Sequence, residues 1–163
     1  DELTRKIRAQ DREIERICEE KYPETALLRQ VVGVGAVTAL RFVLTLENPH
    51  RFTSSRSVAS YLGLRPRRSQ SGGSDPQMRI TKAGDREMRR LLVHSAHYIL
   101  GPFGKDCDLR RFGEKLAARG GKSGKKRAVV AVARKLAVLL HHLWVTGETY
   151  EALRNGNKTK IAA

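Results

Sequence analysis

The stretch AVVAVARKLAVLLHHLWV, residues 128–145, decides what kind of fold this chain can have. It is the most apolar segment in the sequence, yet Arg134, Lys135, His141 and His142 interrupt it. A membrane span takes about 20 apolar residues with few or no charges. These 18 residues therefore read as the buried core helix of a globular domain, and no membrane partner is expected. Nor does a secretory signal pattern open the chain.

Working outward, the neighbouring segments also carry helical periods. Upstream lies the basic link GGKSGKKR (120–127), preceded by a helix expected at 106–118. Gly101-Pro102 stops a longer helix expected at 82–100, which Thr81 caps and which turns Met88, Leu91, Leu92, Ser95 and Ile99 inward. Tyr98 and Trp144 read as core residues. A short helix over 55–62 follows the loop Asn48-Pro49-His50, with Phe52 as a staple and Thr53 or Ser54 as cap. Downstream, TGETYEAL (146–153) is expected to pack loosely and 154–163 to fray. No segment alternates with a strand's period of two. The fold class is all-α: a compact domain of about five or six helices over 23–153, preceded by a separate helix over 1–22.

In that first helix Leu3, Ile7, Gln10, Ile14 and Ile17 follow steps of 4, 3, 4 and 3, an a/d seam with one polar position. So short a seam is unstable alone. It either packs on its own domain or ends a longer coiled coil that pairs with a second copy, Gln10 then fixing register. Pro23 breaks it. Residues 24–46 then read as helix, Gly-x-Gly turn and helix, a helix-hairpin-helix, with Val37, Leu40, Val43 and Leu44 as the apolar face of the second helix. Gly33 and Gly35 permit a tight turn, and free N–H groups at the following helix can face a phosphate. A plain helical corner would need the same glycines.

Charge narrows the partner. The chain of 163 residues carries 32 Lys and Arg against 17 Asp and Glu, a net +15. Residues 1–24 hold six basic and eight acidic side chains, so the body alone carries +17. Such a balance points to a polyanion, nucleic acid first and an anionic membrane surface second. Cys18 and Cys107 are too far apart in sequence to suggest a disulfide framework or zinc site, and a reducing, cytoplasmic setting is expected.

The basic residues gather around one loop. YLGLRPRRSQSGGSDPQMRITKAGDREMRRLL, residues 61–92, places Arg65, Arg67, Arg68, Arg79, Lys82 and Arg86 about three serines and Gly72-Gly73. Arginines can hold a phosphodiester and stabilise the charge that grows on it in a transition state. A serine hydroxyl is a weak nucleophile without a base, metal or strong electrostatics. Ser71 is the best placed, because the two glycines after it relieve crowding; a loop that only binds phosphate fits the same residues. Lys122, Lys125 and Lys126 offer further backbone contacts. GGKS at 120–123 is not a P-loop, since Leu116 stands where the motif's first glycine belongs. His94 and His97 have metal-ligand spacing but no partner nearby in sequence, and no carboxylate pair suits two-metal catalysis. No metal site and no cofactor are expected in this chain.

Taken together, LLRQVVGVGAVTALRFVLTLENPHRFTSSRSVASYLGLRPRRSQSGG (27–73), ITKAGDREMRRLLVHSA (80–96) and LLHHLWVTGETYEAL (139–153) resemble the C-terminal domain of the IS one-ten family of insertion-sequence transposases. The specificity lies in ordered motifs: the GVG turn, NPHRF, YLGL-x-P, the SGG serine and ITK-x-G. The resemblance implies a serine nucleophile, mapping onto Ser71, that forms a covalent link to DNA. It also implies an N-terminal RuvC-like domain with a DEDD carboxylate set binding Mg²⁺, joined through a coiled coil and not contained in this chain. A bridge RNA guides such proteins, which work as dimers or higher assemblies on bacterial DNA. Two positions depart from the family pattern: Val32, where Pro is frequent, and Asp85, where Asn is frequent. A non-catalytic helix-hairpin-helix module that binds nucleic acid is the alternative.

Overall fold

The computed structural model describes residues 1–69, 72–73 and 78–156. These form seven α-helices and one 3-10 turn: α1 Glu2–Lys21, α2 Thr25–Arg29, α3 Ala36–Leu46, the turn Pro49–Arg51, α4 Ser55–Tyr61, α5 Arg86–Leu100, α6 Asp108–Ala118 and α7 Gly124–Thr146. Among the described residues the one β-type pairing is an isolated antiparallel bridge between Pro66 and Ile80. The fold is all-α.

The apolar stretch of the opening is the centre of the molecule. α7 packs against α4, α5 and α6, and also meets α2 and the 3-10 turn. By length and composition alone it could cross a bilayer. Instead Ala128, Val132, Ala133, Leu136, Ala137 and Leu140 are sealed in the core, where each large apolar side chain contributes about 1.5–3 kcal/mol. Its charges sit on the outward side, with Lys135 Nζ 4.0 Å above the Phe112 ring. The helix starts earlier than the sequence suggests. Lys125, Lys126 and Arg127 form its first turn rather than a link, because buried Gly124 already lies inside the helix. Gly147, at φ +67, ends it and donates its N–H to Leu143 O at 2.8 Å.

His141, to which the sequence assigned no role, is a buried clamp. Its Nε2 lies 2.8 Å from Pro49 O and its Nδ1 2.9 Å from Ser55 Oγ. A carbonyl can only accept, so in the neutral ring Nε2 carries the hydrogen and Nδ1 accepts from the Ser55 hydroxyl. The NPHRF segment is thereby fastened to α7. Asn48 Oδ1 caps the 3-10 turn through the His50 N–H at 2.8 Å. Phe52 meets His141 and Tyr61 edge-on, and the Arg51 guanidinium lies over both the Phe52 and Tyr61 rings.

Several expectations need correction. α3 buries Ala39, Phe42, Val43 and Leu46, not the Val37–Leu44 face; Val37 and Leu44 are exposed, because α2, α1 and α5 approach from the other side. Tyr98 is exposed, whereas Trp144 packs beside Phe42. The 146–153 segment is anchored rather than loose: the Tyr150 N–H donates to Gln30 Oε1 at 2.8 Å, and Ala152 O accepts from the Asp108 N–H at 2.7 Å. Arg154 and Asn155 are held too, by Glu148 and Asp108; residues 157–163 lie outside the described residues. α1 packs on its own domain at its C-terminal end. Cys18 is buried, and Ile14 and Ile17 are half-buried against the domain, while Leu3 and Ile7 are exposed at 63% and 50%.

Candidate nucleic-acid interface

The arginine-rich loop is an arm with a rigid base, built where two sequence motifs cross. Gly63, of YLGL, has φ +71, and a Cβ there would fall 2.1 Å from Ala83 O and 2.4 Å from Ala83 N. Gly84, of TKAGD, has φ +73, and a Cβ there would fall 2.2 Å from Tyr61 O. Each glycine thus makes room for the other motif's backbone, in a region of φ that other residues rarely enter. The Lys82 N–H donates to Gly63 O at 3.0 Å across the crossing. The Arg89 guanidinium donates to Leu62 O at 3.2 Å, Gly84 O at 3.1 Å and also Ala83 O, tying both strands to α5.

Above this crossing the two strands pair. The Arg67 N–H donates to Arg79 O at 2.9 Å and the Thr81 N–H to Arg65 O at 2.9 Å, flanking the Pro66–Ile80 bridge. Pro66 sits at a non-hydrogen-bonded position, where its missing N–H costs nothing. Since strand side chains alternate, Arg65, Arg67 and Arg79 share one face, with Arg67 opposite Arg79. Like charges facing each other across a ladder destabilise it. Arg65, Arg67, Arg68, Arg79, Lys82 and Arg86 are all exposed, and none pairs with an acid among the described residues. A polyanion would relieve that repulsion. Gly72 and Gly73, between the two strands in sequence, are exposed, with no described residue within 4 Å of a built Cβ. Ser71 and Ser74 lie outside the described residues; Ser69 is exposed.

At the root of the arm, α5 begins later than Thr81 suggests. Lys82 takes φ +59, and Asp85 is the cap, accepting the Met88 N–H at 2.5 Å. Asp85 also pairs with Arg41 of α3 at 2.6 Å. Its acidity is therefore spent on structure, and the arm's own cations stay unneutralised by it. Lys82, Arg86 and Arg90 line a shallow cleft of about 410 Å³ beside the arm, together with the committed Arg89.

The Met88 N–H first, and then Arg41, hold the Asp85 carboxyl below its ordinary value of 3.8. A folded pKa below the unfolded one gives stability that is present above 3.8 and is lost as pH falls through the depressed value. Asp85→Ala should cost about 1 kcal/mol through the lost cap. Asp85→Asn keeps the cap and gives up the Arg41 pair alone, about 0.5 kcal/mol. Urea denaturation at neutral pH distinguishes the two, and the deficit of each relative to the unsubstituted chain should shrink as pH falls through the depressed Asp85 value.

The remaining candidates are dispersed. Gly33, at φ +86, faces α5, where a Cβ would meet Ser95 O at 3.1 Å and the Ile99 and Tyr98 side chains at 3.3 Å. The second helix of this corner starts at Gly35, which has nothing within 4 Å of a built Cβ. Val32, where Pro is frequent, still allows the turn, closed by Val34 N–H to Val31 O at 3.0 Å. Lys122, Lys125 and Lys126 are exposed at the start of α7. Cations in a first helical turn oppose the helix dipole, so they do not serve helix stability. They stand apart from the arm, whose Arg65 approaches α7 near Arg134 and Lys135. His94 and His97 are exposed, and no three His, Cys, Asp or Glu among the described residues are grouped to hold a metal ion. Sequence reasoning missed Gly63, Gly84, Arg89 and His141. Two isolated glycines beside apolar residues were a visible signal for the crossing.

What the fold and the arm define is an all-helical domain that carries a cationic strand pair. Residues 25–104 match the family model of the Transposase IS116/IS110/IS902 family, so this stretch carries that family's domain. Among curated proteins it is similar to the transposase for insertion sequence element IS1111A of Coxiella burnetii, at 32% identity over 76% of this chain and 33% of that protein. It is also similar to the pilin gene-inverting protein of Moraxella lacunata, at 30% identity over 70% of this chain and 34% of that protein. A putative transposase of Sinorhizobium fredii, y4pF/y4sB, is 30% identical over 76% of this chain and 32% of its own length. The chain thus spans about a third of the length of these curated relatives.

Proposed function

We propose that this domain grips nucleic acid with the arm and, as part of a longer DNA transposase or recombinase, presents Ser71 to the scissile phosphodiester. The observation that carries the reading is the set of arginines on one face of a stapled strand pair, without an acid partner among the described residues, with exposed Gly72 and Gly73 between the two strands in sequence. Attack by the Ser71 oxygen on phosphorus forms a serine–phosphate ester and breaks one bond to a deoxyribose oxygen. The hydroxyl proton leaves to a base, and the departing oxygen takes up a proton. One phosphoester replaces another, so strand exchange needs no external energy source. The arginines neutralise the charge that grows on the phosphoryl oxygens.

In this proposal the remaining chemistry comes from outside the chain. Mg²⁺ and its DEDD carboxylates belong to a RuvC-like domain, and no metal site is assigned to the residues present. DNA is the substrate, a bridge RNA guides it, and assembly as a dimer or higher oligomer uses the exposed Leu3 and Ile7 seam of α1. The setting is the cytoplasm, at the bacterial nucleoid. The similarity to a protein named for pilin-gene inversion supports recombination as the reaction class. The open Gly35 end of α3 adds a backbone contact to phosphate, Gly33 setting the turn, and Lys122, Lys125 and Lys126 add a peripheral one.

Binding is tested on the 163-residue chain with labelled duplex DNA over a salt series. Arg67→Ala/Arg79→Ala should weaken duplex binding and reduce the log–log salt slope by about 1.8, two phosphates at about 0.9 each. An unchanged slope would contradict the arm as the grip.

A further inference from the structure

A second cleft, of about 870 Å³, lies between α4, α7 and the anchored C-terminal segment, and it shares Arg65 with the arm. Leu109, Val138 and Leu139 give it an apolar floor. Arg56 of α4 and Arg134 of α7 line its walls, and neither has an acid partner among the described residues. Other charges around it are already engaged. Arg154 pairs with Glu148 at 2.8 Å, Asp108 accepts the Asn155 N–H at 2.9 Å, and Lys135 lies on Phe112. Glu151 is the remaining acid in the lining. Two rings, His142 and Tyr150, complete the wall, the latter fixed through its backbone by Gln30.

This combination selects among nucleic acids. A duplex turns its bases inward and offers a groove only phosphates, for which an apolar floor is useless. A single strand offers phosphates and the faces of unpaired bases together, and sites for it join cations to apolar and aromatic surfaces. We infer that the α4–α7 cleft binds a single-stranded segment of nucleic acid that continues from the arm, its phosphates on Arg65, Arg56 and Arg134 and its bases over the Val138–Leu139 floor. The inference rests on the reading of the arm as a nucleic-acid grip and adds to it a second site with its own ligand.

The test uses the 163-residue chain, labelled oligothymidylate and oligouridylate of about 15 nucleotides, and a duplex of equal length, by fluorescence anisotropy across a salt series. Arg56→Ala/Arg134→Ala leaves the arm intact. It should lower single-strand affinity by roughly tenfold and the salt slope by about 1.4, two contacts at about 0.7 each, with duplex affinity within about twofold. Val138→Glu, which puts a charge into the floor, should lower single-strand affinity alone. Circular dichroism confirms that each variant retains its helices. A larger loss with oligothymidylate assigns the site to DNA, and a larger loss with oligouridylate assigns it to RNA. Unchanged single-strand affinity in both folded variants, or an equal loss for duplex, would overturn the cleft. Either result leaves the Arg67→Ala/Arg79→Ala test of the arm standing, so the two proposals fail separately.

Discussion

If the proposed reading holds, Ser71→Ala in the full-length protein should reduce strand exchange by at least about 10³-fold while nucleic-acid affinity stays within about twofold. The asymmetry follows from the proposed division of labour. Affinity is distributed over many phosphate contacts, each made by an arginine or lysine, and one neutral hydroxyl adds little to their sum. The bond-forming atom has no substitute: without the hydroxyl oxygen no serine–phosphate ester can form, and the arginines have no attack to stabilise. Ser69→Ala, on the exposed strand before the tip, should leave exchange largely intact. Parallel measurement of exchange and affinity separates this reading from a non-catalytic binding module, for which Ser71→Ala changes neither. A fall in affinity matching the fall in exchange would make Ser71 a binding residue instead.

The second large effect is on the base of the arm. Gly63→Ala should destabilise the domain by about 3 kcal/mol or more, since the new methyl group meets the Ala83 backbone and the residue must hold φ +71. Gly84→Ala should behave alike, against Tyr61 O. The control is Gly72→Ala. It also has a positive φ, +59, but open space around it, so the cost should be only about 1–2 kcal/mol of backbone strain. Urea denaturation of the three variants measures this directly. Equal losses at Gly63 and Gly72 would mean that the crossing is not tightly packed. Arg89→Met keeps the stem of the side chain and removes the three-carbonyl staple. It should loosen the arm, and duplex binding should weaken although Arg89 itself is already committed to Leu62, Ala83 and Gly84.

The all-α class was legible in the sequence because α7 and α5 are long and strongly patterned. Met88, Leu92, Ser95 and Ile99 face inward as their spacing implies. α3 was less legible, since it is apolar on two sides and only the packing of α1, α2 and α5 chooses between them. The start of α5 was misplaced because Thr81 and Asp85 are both competent caps. The crossing of Gly63 and Gly84 settles the matter by holding Lys82 and Gly84 at positive φ, which a helix cannot contain. The cations of the arm were legible from composition. Their alignment on one face was not, because it depends on strand pairing between residues 67 and 79, which no local pattern announces. His141 was invisible for the same reason: its partners Pro49 and Ser55 lie 92 and 86 residues away.

The most direct test of the central claim is to trap the covalent adduct between full-length protein and its DNA, digest it, and map the attached residue by mass spectrometry. The expected result is a phosphoester on Ser71, lost in Ser71→Ala. Attachment at Ser69 or Ser74 would contradict the assignment while keeping a serine mechanism, and attachment outside the arm would contradict the account of the arm as the bearer of the nucleophile.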